Sequence, residues 1–183
     1  PLERGNLVHR IMERVVACFF DSGVGWDQFL TTAAATLKAV MDDEFERLPE
    51  GLRGLPVSWR RIREQVATDV RSYLDQQLRL APGDVGGPVS IEQPFSGIPL
   101  QIAADGTGDP PLTIAGRIDR IDRIGGKVRV VDYKTGAVAR EAATSYRAGR
   151  SFQLPLYLYA ASALQAVPVA ECIAELHFVS ERA

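Results

Sequence analysis

Asp119, Asp122, Asp132 and Lys134 crowd into the 21-residue stretch GRIDRIDRIGGKVRVVDYKTG, Gly116 to Gly136. Their neighbours are the isoleucines and valines of a core. Gly125-Gly126 between two β-branched runs is the signal of a two-residue hairpin turn. With that turn, Ile124 faces Lys127, Asp122 faces Arg129, Ile121 faces Val130, and Asp119 faces Asp132. Opposed side chains share a face, as do residues two apart on one strand. Asp122 then meets Arg129 on one face, an ordinary cross-strand ion pair. Asp119, Asp132 and Lys134 share the other face. Two opposed carboxylates repel, so this face calls for a cation. A hard divalent ion is commonly held by one or two carboxylates. It polarises a phosphoryl oxygen and makes water acidic, while a lysine alongside steadies developing charge. A solvated, charge-rich hairpin accounts for any one of these residues, but poorly for the opposed acids with lysine beside them.

The same residues resemble a known family. Asp119 followed by Asp132-Tyr133-Lys134 looks like the D…(D/E)-x-K motif of the PD-(D/E)XK nuclease superfamily, with Ile118 where its name has proline. More narrowly, GRIDRID…VVDYKTG…QLPLY is similar to the RecB-type nuclease domains of helicase–nucleases and repair proteins. The resemblance reaches upstream to GNLVHRIME, where His9 falls at the family's histidine ligand, and to IEQPF, where Glu92 falls at its additional glutamate. Downstream it takes in Gln153 and Tyr157. It implies an α/β fold, with a helical N-terminal layer followed by a mixed β-sheet flanked by helices around a restriction-endonuclease-like core. It implies catalysis by Asp119, Asp132 and Lys134. Mg²⁺ or Mn²⁺ would be held by His9, Asp119, Asp132 and the backbone carbonyl of Tyr133. DNA is the implied partner, with a helicase domain or subunit of the same repair complex beside it. Some relatives carry an iron–sulfur cluster on four cysteines; Cys18 and Cys172 cannot supply one, so none is expected.

The outlying candidates have bland readings too. A histidine on a helix, as His9 is, more often packs or is solvated than binds metal. Glu92 is either a charge on a strand edge before Pro94 or a group near the metal or its water. Gln153 and Tyr157, four apart on one helical face, either contact the DNA backbone or brace the site; otherwise Tyr157 is core. His177 matches no motif and reads as structural. The basic run Trp59–Arg63 reads as a solvated helix face. A non-catalytic DNA-binding module and a protein-binding scaffold are the rival functions.

These residues must be positioned by an ordinary globular chain. Its 183 residues are 46% apolar and 24% charged, with a net charge of −2, and read as one domain, 1–183, of a longer protein. Residues 116–150 hold nine Lys/Arg against four acids, whereas residues 1–115 hold eleven against sixteen. A basic part beside an acidic one suits a one-sided phosphate contact. No signal peptide, membrane span or Walker motif is legible, so the expected compartment is cytoplasmic, with no membrane partner. Periodicity predicts helices over 2–20, 25–48 and 56–80, with Pro82-Gly83 as the last stop. It then predicts strands over 89–96 and 98–104, a loop over 105–111, the hairpin strands 112–124 and 127–134, a helix over 151–165 and a strand over 170–180. Pro94 predicts a bend or a sheet edge.

Overall fold

The structure is a computed structural model and describes residues 2–47, 56–79, 86–100, 112–135 and 152–179. Three helices come first: α1 (Leu2–Ser22), α2 (Trp26–Arg47) and α3 (Pro56–Arg79). Strands β1 (Gly87–Pro99), β2 (Thr113–Ile124) and β3 (Lys127–Lys134) follow, then α4 (Gln153–Gln165), a short 3₁₀ turn and β4 (Cys172–Phe178). The sheet order is β1-β2-β3-β4. The first two pairings are antiparallel and β3–β4 is parallel, with α4 as the crossover that a parallel pair needs. The architecture is the helical layer and mixed, helix-flanked sheet expected from the sequence.

Each face of the sheet has its own core. On α1, Leu7, Val8, Ile11, Met12, Val15 and Val16 recur at helical spacing. All six are buried with residues of α2 and α3 against Val131 and Tyr133 of β3. On the opposite face, Phe95, Ile118, Ile121, Val128 and Val130 pack against Ala160 and Ala161 of α4. The two alanines let that helix lie close to the strands.

The Gly-Gly turn is as the sequence reads it. Gly125 and Gly126 have φ of 50° and 88°, and the ladder pairs Ile124 with Lys127, Asp122 with Arg129 and Ile121 with Val130. Its recorded pairs stop at Arg120–Val131, one short of Asp119 opposite Asp132. Strict alternation fails here. Ile118 packs in the α4 core together with Ile121, an odd number of residues away. The partner strand breaks too: Ile91 packs toward the three-helix core and Phe95 toward α4, although they are an even number apart. Between them Glu92 has φ +45°, a left-handed backbone rare for a non-glycine residue. Pairing skips from Ile91–Arg120 to Gln93–Ile118, so Glu92 and Asp119 occupy a joint kink in β1 and β2.

Two further expectations are corrected. The separate strands over 89–96 and 98–104 are one strand through Pro99, bulged between Phe95 and Ile98, where Gly97 supplies φ +67°. Pro94 sits inside it without harm because β1 is the edge of the sheet, where a missing N–H breaks no ladder. The end of the second expected strand, the 105–111 loop and the Pro82-Gly83 stop lie outside the described residues. Asp122 does meet Arg129 across the ladder, but as more than an ordinary cross-strand pair. Arg120 and Asp122 are 0% exposed, and Arg129 joins them from β3 in a buried triad beneath the helical layer.

Candidate active site

An open cleft of about 1040 Å³ lies between the N-terminal half of α1, the kinked part of β1–β2, the end of β3 and the start of α4. It is lined by His9, Glu92, Arg117, Asp119, Asp132, Lys134 and Gln153, among others. The helical stripe that buries Leu7, Val8, Ile11 and Met12 leaves His9 at its border, over the last residues of β3. His9 Nε2 is 3.0 Å from the Tyr133 carbonyl oxygen, and Nδ1 is 3.4 Å from Asp119 Oδ2. That oxygen also accepts the Tyr133 backbone N–H at 2.8 Å. A doubly protonated ring satisfies both contacts as donor. The His9 pKa is accordingly raised from its usual value, first by the hydrogen bond to Asp119, with burial opposing.

The joint kink aims Glu92 and Asp119 into the same cleft. One ligand atom from each of His9, Glu92 and Asp119 lies within 4.8 Å of the others. Burial, and then the nearby charge of Asp119, push the Glu92 carboxyl up, while Arg117 Nε pairs with Glu92 Oε2 at 2.9 Å. Asp132 lines the cleft but stands outside this cluster. Gln153 donates to Asp132 Oδ1 at 2.7 Å and to the Tyr157 hydroxyl at 3.1 Å. Lys134 Nζ pairs with Asp132 and donates to Gln153 Oε1 at 3.2 Å. Burial raises the Asp132 pKa against the pull of Lys134.

The structure therefore brings His9, Glu92, Asp119, Asp132, Lys134 and Gln153 to one cleft, with Tyr157 joined through Gln153. Tyr133 contributes its backbone; its ring packs in the three-helix core. His177 is drawn off elsewhere, with Nδ1 2.7 Å from the Tyr73 hydroxyl and Nε2 2.8 Å from Glu175. Arg117 is among the cleft residues that sequence reasoning missed, with Arg10 and Glu13 of α1, although its place two residues before Asp119 signalled it.

A family model described as the PD-(D/E)XK nuclease superfamily matches residues 1–180. The chain belongs to that superfamily. The helical layer and four-stranded mixed sheet are its restriction-endonuclease-like core, and the D…D-x-K residues lie at the cleft. No curated protein matches the chain. The donors suit the divalent ion that superfamily members typically use. Carboxylate oxygens and one imidazole are ligands for a hard cation such as Mg²⁺ or Mn²⁺. Atoms within 4.8 Å of one another need move little to share an octahedral shell of roughly 2.1 Å radius. Among the described residues no helix is long and apolar enough to cross a membrane.

Proposed function

We propose that the chain is a metal-dependent deoxyribonuclease of the RecB type, serving DNA repair or recombination, and that residues 1–183 are one nuclease domain of a longer protein. The observation that carries this reading is the meeting of two arrangements in one cleft: the donor cluster of His9, Glu92 and Asp119, and an Asp132–Lys134 pair braced by Gln153. His9, Asp119, Asp132 and the Tyr133 carbonyl would hold Mg²⁺ or Mn²⁺, with Glu92 as a further donor beside His9 and Asp119. When bound, such an ion polarises the phosphoryl oxygens and promotes ionisation of water. Lys134 Nζ sets a positive charge where the phosphate gains negative charge in the transition state. Gln153 fixes both Asp132 and Lys134, and with Tyr157 offers polar groups to the DNA backbone. To serve as a ligand, His9 must give up the proton it holds against Asp119 or Tyr133. A helicase domain or subunit is the natural companion of this activity.

The test is cleavage of circular and end-labelled DNA with and without Mg²⁺ or Mn²⁺. Cleavage should require the ion and vanish in Asp119→Ala and Asp132→Ala. It should fall by about 10²–10³-fold in Lys134→Ala. Cleavage retained by a folded Asp132→Ala protein would overturn the mechanism. DNA binding without any cleavage would leave a nuclease-fold binding module.

A further inference from the structure

We propose that Arg117 is a partner-exchanging residue: it neutralises Glu92 in the metal-free cleft, and on metal binding it turns to the DNA phosphate on the β1 side of the site. This rests on the nuclease reading above and adds a residue that the motif does not contain.

Arg117 Nε is 2.9 Å from Glu92 Oε2, yet its side chain is 66% exposed, whereas that of Glu92 is 19% exposed. The arginine thus reaches from solvent to a more sheltered acid and can swing away without disturbing a core. Glu92 belongs to the three-donor cluster, so the guanidinium lies where a divalent cation would repel it. An ion settled among these donors takes over the attraction that holds Arg117.

The charge balance says where the released cation is useful. The cleft is lined by the acids Glu13, Glu92, Asp119 and Asp132 and the cations Arg10, Arg117 and Lys134. Lys134 is committed to Asp132 and Gln153, and Arg10 to Glu44 of α2 at 3.2 Å. Among the described residues that line the cleft, this leaves Arg117 as the adaptable cation for an entering phosphate. The planar fork of five donors suits a phosphate in a way a lysine does not. Arg117 pairs across to Pro94 on edge strand β1, whereas Lys134 ends β3, so the two cations flank the cluster.

Opposite changes in two affinities test this. Calorimetric Mn²⁺ titration of DNA-free protein should show tighter binding in Arg117→Ala, by up to about fivefold, the worth of an exposed ion pair. The gain should disappear in a Glu92→Gln background, where there is no charge to compete for. Anisotropy of a short labelled DNA in Ca²⁺ should show about tenfold weaker binding by Arg117→Ala, with a salt slope lower by about one. Arg117→Lys should recover part of the DNA affinity. Circular dichroism checks that each variant is folded. Unchanged or weaker Mn²⁺ binding in Arg117→Ala overturns the exchange, and so does an unchanged salt slope. Wild-type protein that binds Mn²⁺ but cuts no DNA overturns the nuclease reading instead, and leaves the Mn²⁺ comparison to stand or fall alone.

Discussion

Asp122→Asn removes one charge and almost no volume from the buried triad behind the cleft. Asp122 accepts from Arg120 Nε and Nη2 at 2.6 and 2.7 Å, and from Arg129 Nε and Nη2 at 3.0 and 2.7 Å. An asparagine offers one oxygen to these two guanidiniums and turns its NH₂ toward the other donors. For an ordinary cross-strand pair, as the sequence reads it, the loss would be about 0.2–1 kcal/mol. With Arg120 and Asp122 fully buried, the variant leaves excess positive charge inside the protein, and about 3–5 kcal/mol is expected. Against a typical domain stability of about 5–15 kcal/mol that is a large fraction. At roughly 2–4 °C per kcal/mol for a chain of this size, the melting temperature should fall by about 6–20 °C. Urea unfolding followed by circular dichroism measures the change. Trp26 fluorescence gives a local probe, since its ring lies 5.3 Å from the Arg120 guanidinium carbon. Below the transition, Mn²⁺ affinity should match wild type, because none of Arg120, Asp122 and Arg129 lines the cleft. A loss under about 1 kcal/mol would refute burial as the source of the cost, and a folded variant with weakened Mn²⁺ binding would refute the separation of the triad from the cleft.

Because His9 has a raised pKa, its pair with Asp119 stabilises the metal-free protein below the unperturbed value of about 6.5, and that contribution is lost as pH rises through the folded value. Calorimetric Mn²⁺ affinity should therefore climb through that pH range as the competing proton leaves, and His9→Gln should flatten the climb. Glu92→Gly and Glu92→Ala both delete the carboxylate, but only glycine relieves φ +45°, so thermal melts should place the glycine variant about 1 kcal/mol above the alanine one, with Mn²⁺ binding weakened in both. Gln153→Ala should lower cleavage by up to about 10²-fold with little change in melting temperature, since it loosens Asp132 and Lys134 without opening a core; unaltered turnover would remove Gln153 from the site.

The hairpin was legible because its turn has a sharp local rule. Two glycines between β-branched runs fix the register, and Asp122–Arg129 followed from it. The depth of that pair was not legible. The RIDRIDRI pattern is equally compatible with a wet ribbon, and only the three helices packing over it turn Arg120 and Asp122 into interior residues. The joint kink was hidden for a different reason. A left-handed glutamate carries no local sequence signal, as a glycine at Gly97 does, and the tertiary fold imposes it. Hence the opposed acids expected at the site became Asp119 clustered with His9 and Glu92, with Asp132 held by Gln153 and Lys134 beside them. His9 was visible through the family motif alone. Nothing in its own helix says that α1 will lie across the end of a strand formed more than a hundred residues later.

The brace from α4 has a consequence for the growing chain on the ribosome. His9, Glu92, Asp119, Asp132 and Lys134 are all translated before Gln153 exists, and β4, which pairs with β3 along Val128–Lys134, is made later still. A nascent chain that has just emerged through β3 therefore owns every charged side chain among the described residues that line the cleft, but not the amide that braces Asp132 and Lys134 nor the strand that supports them. The same order makes the stretch between β3 and α4 a natural place to divide the polypeptide into two separately silent pieces. Their reunion would switch the site on, as a reporter of whatever brings them together.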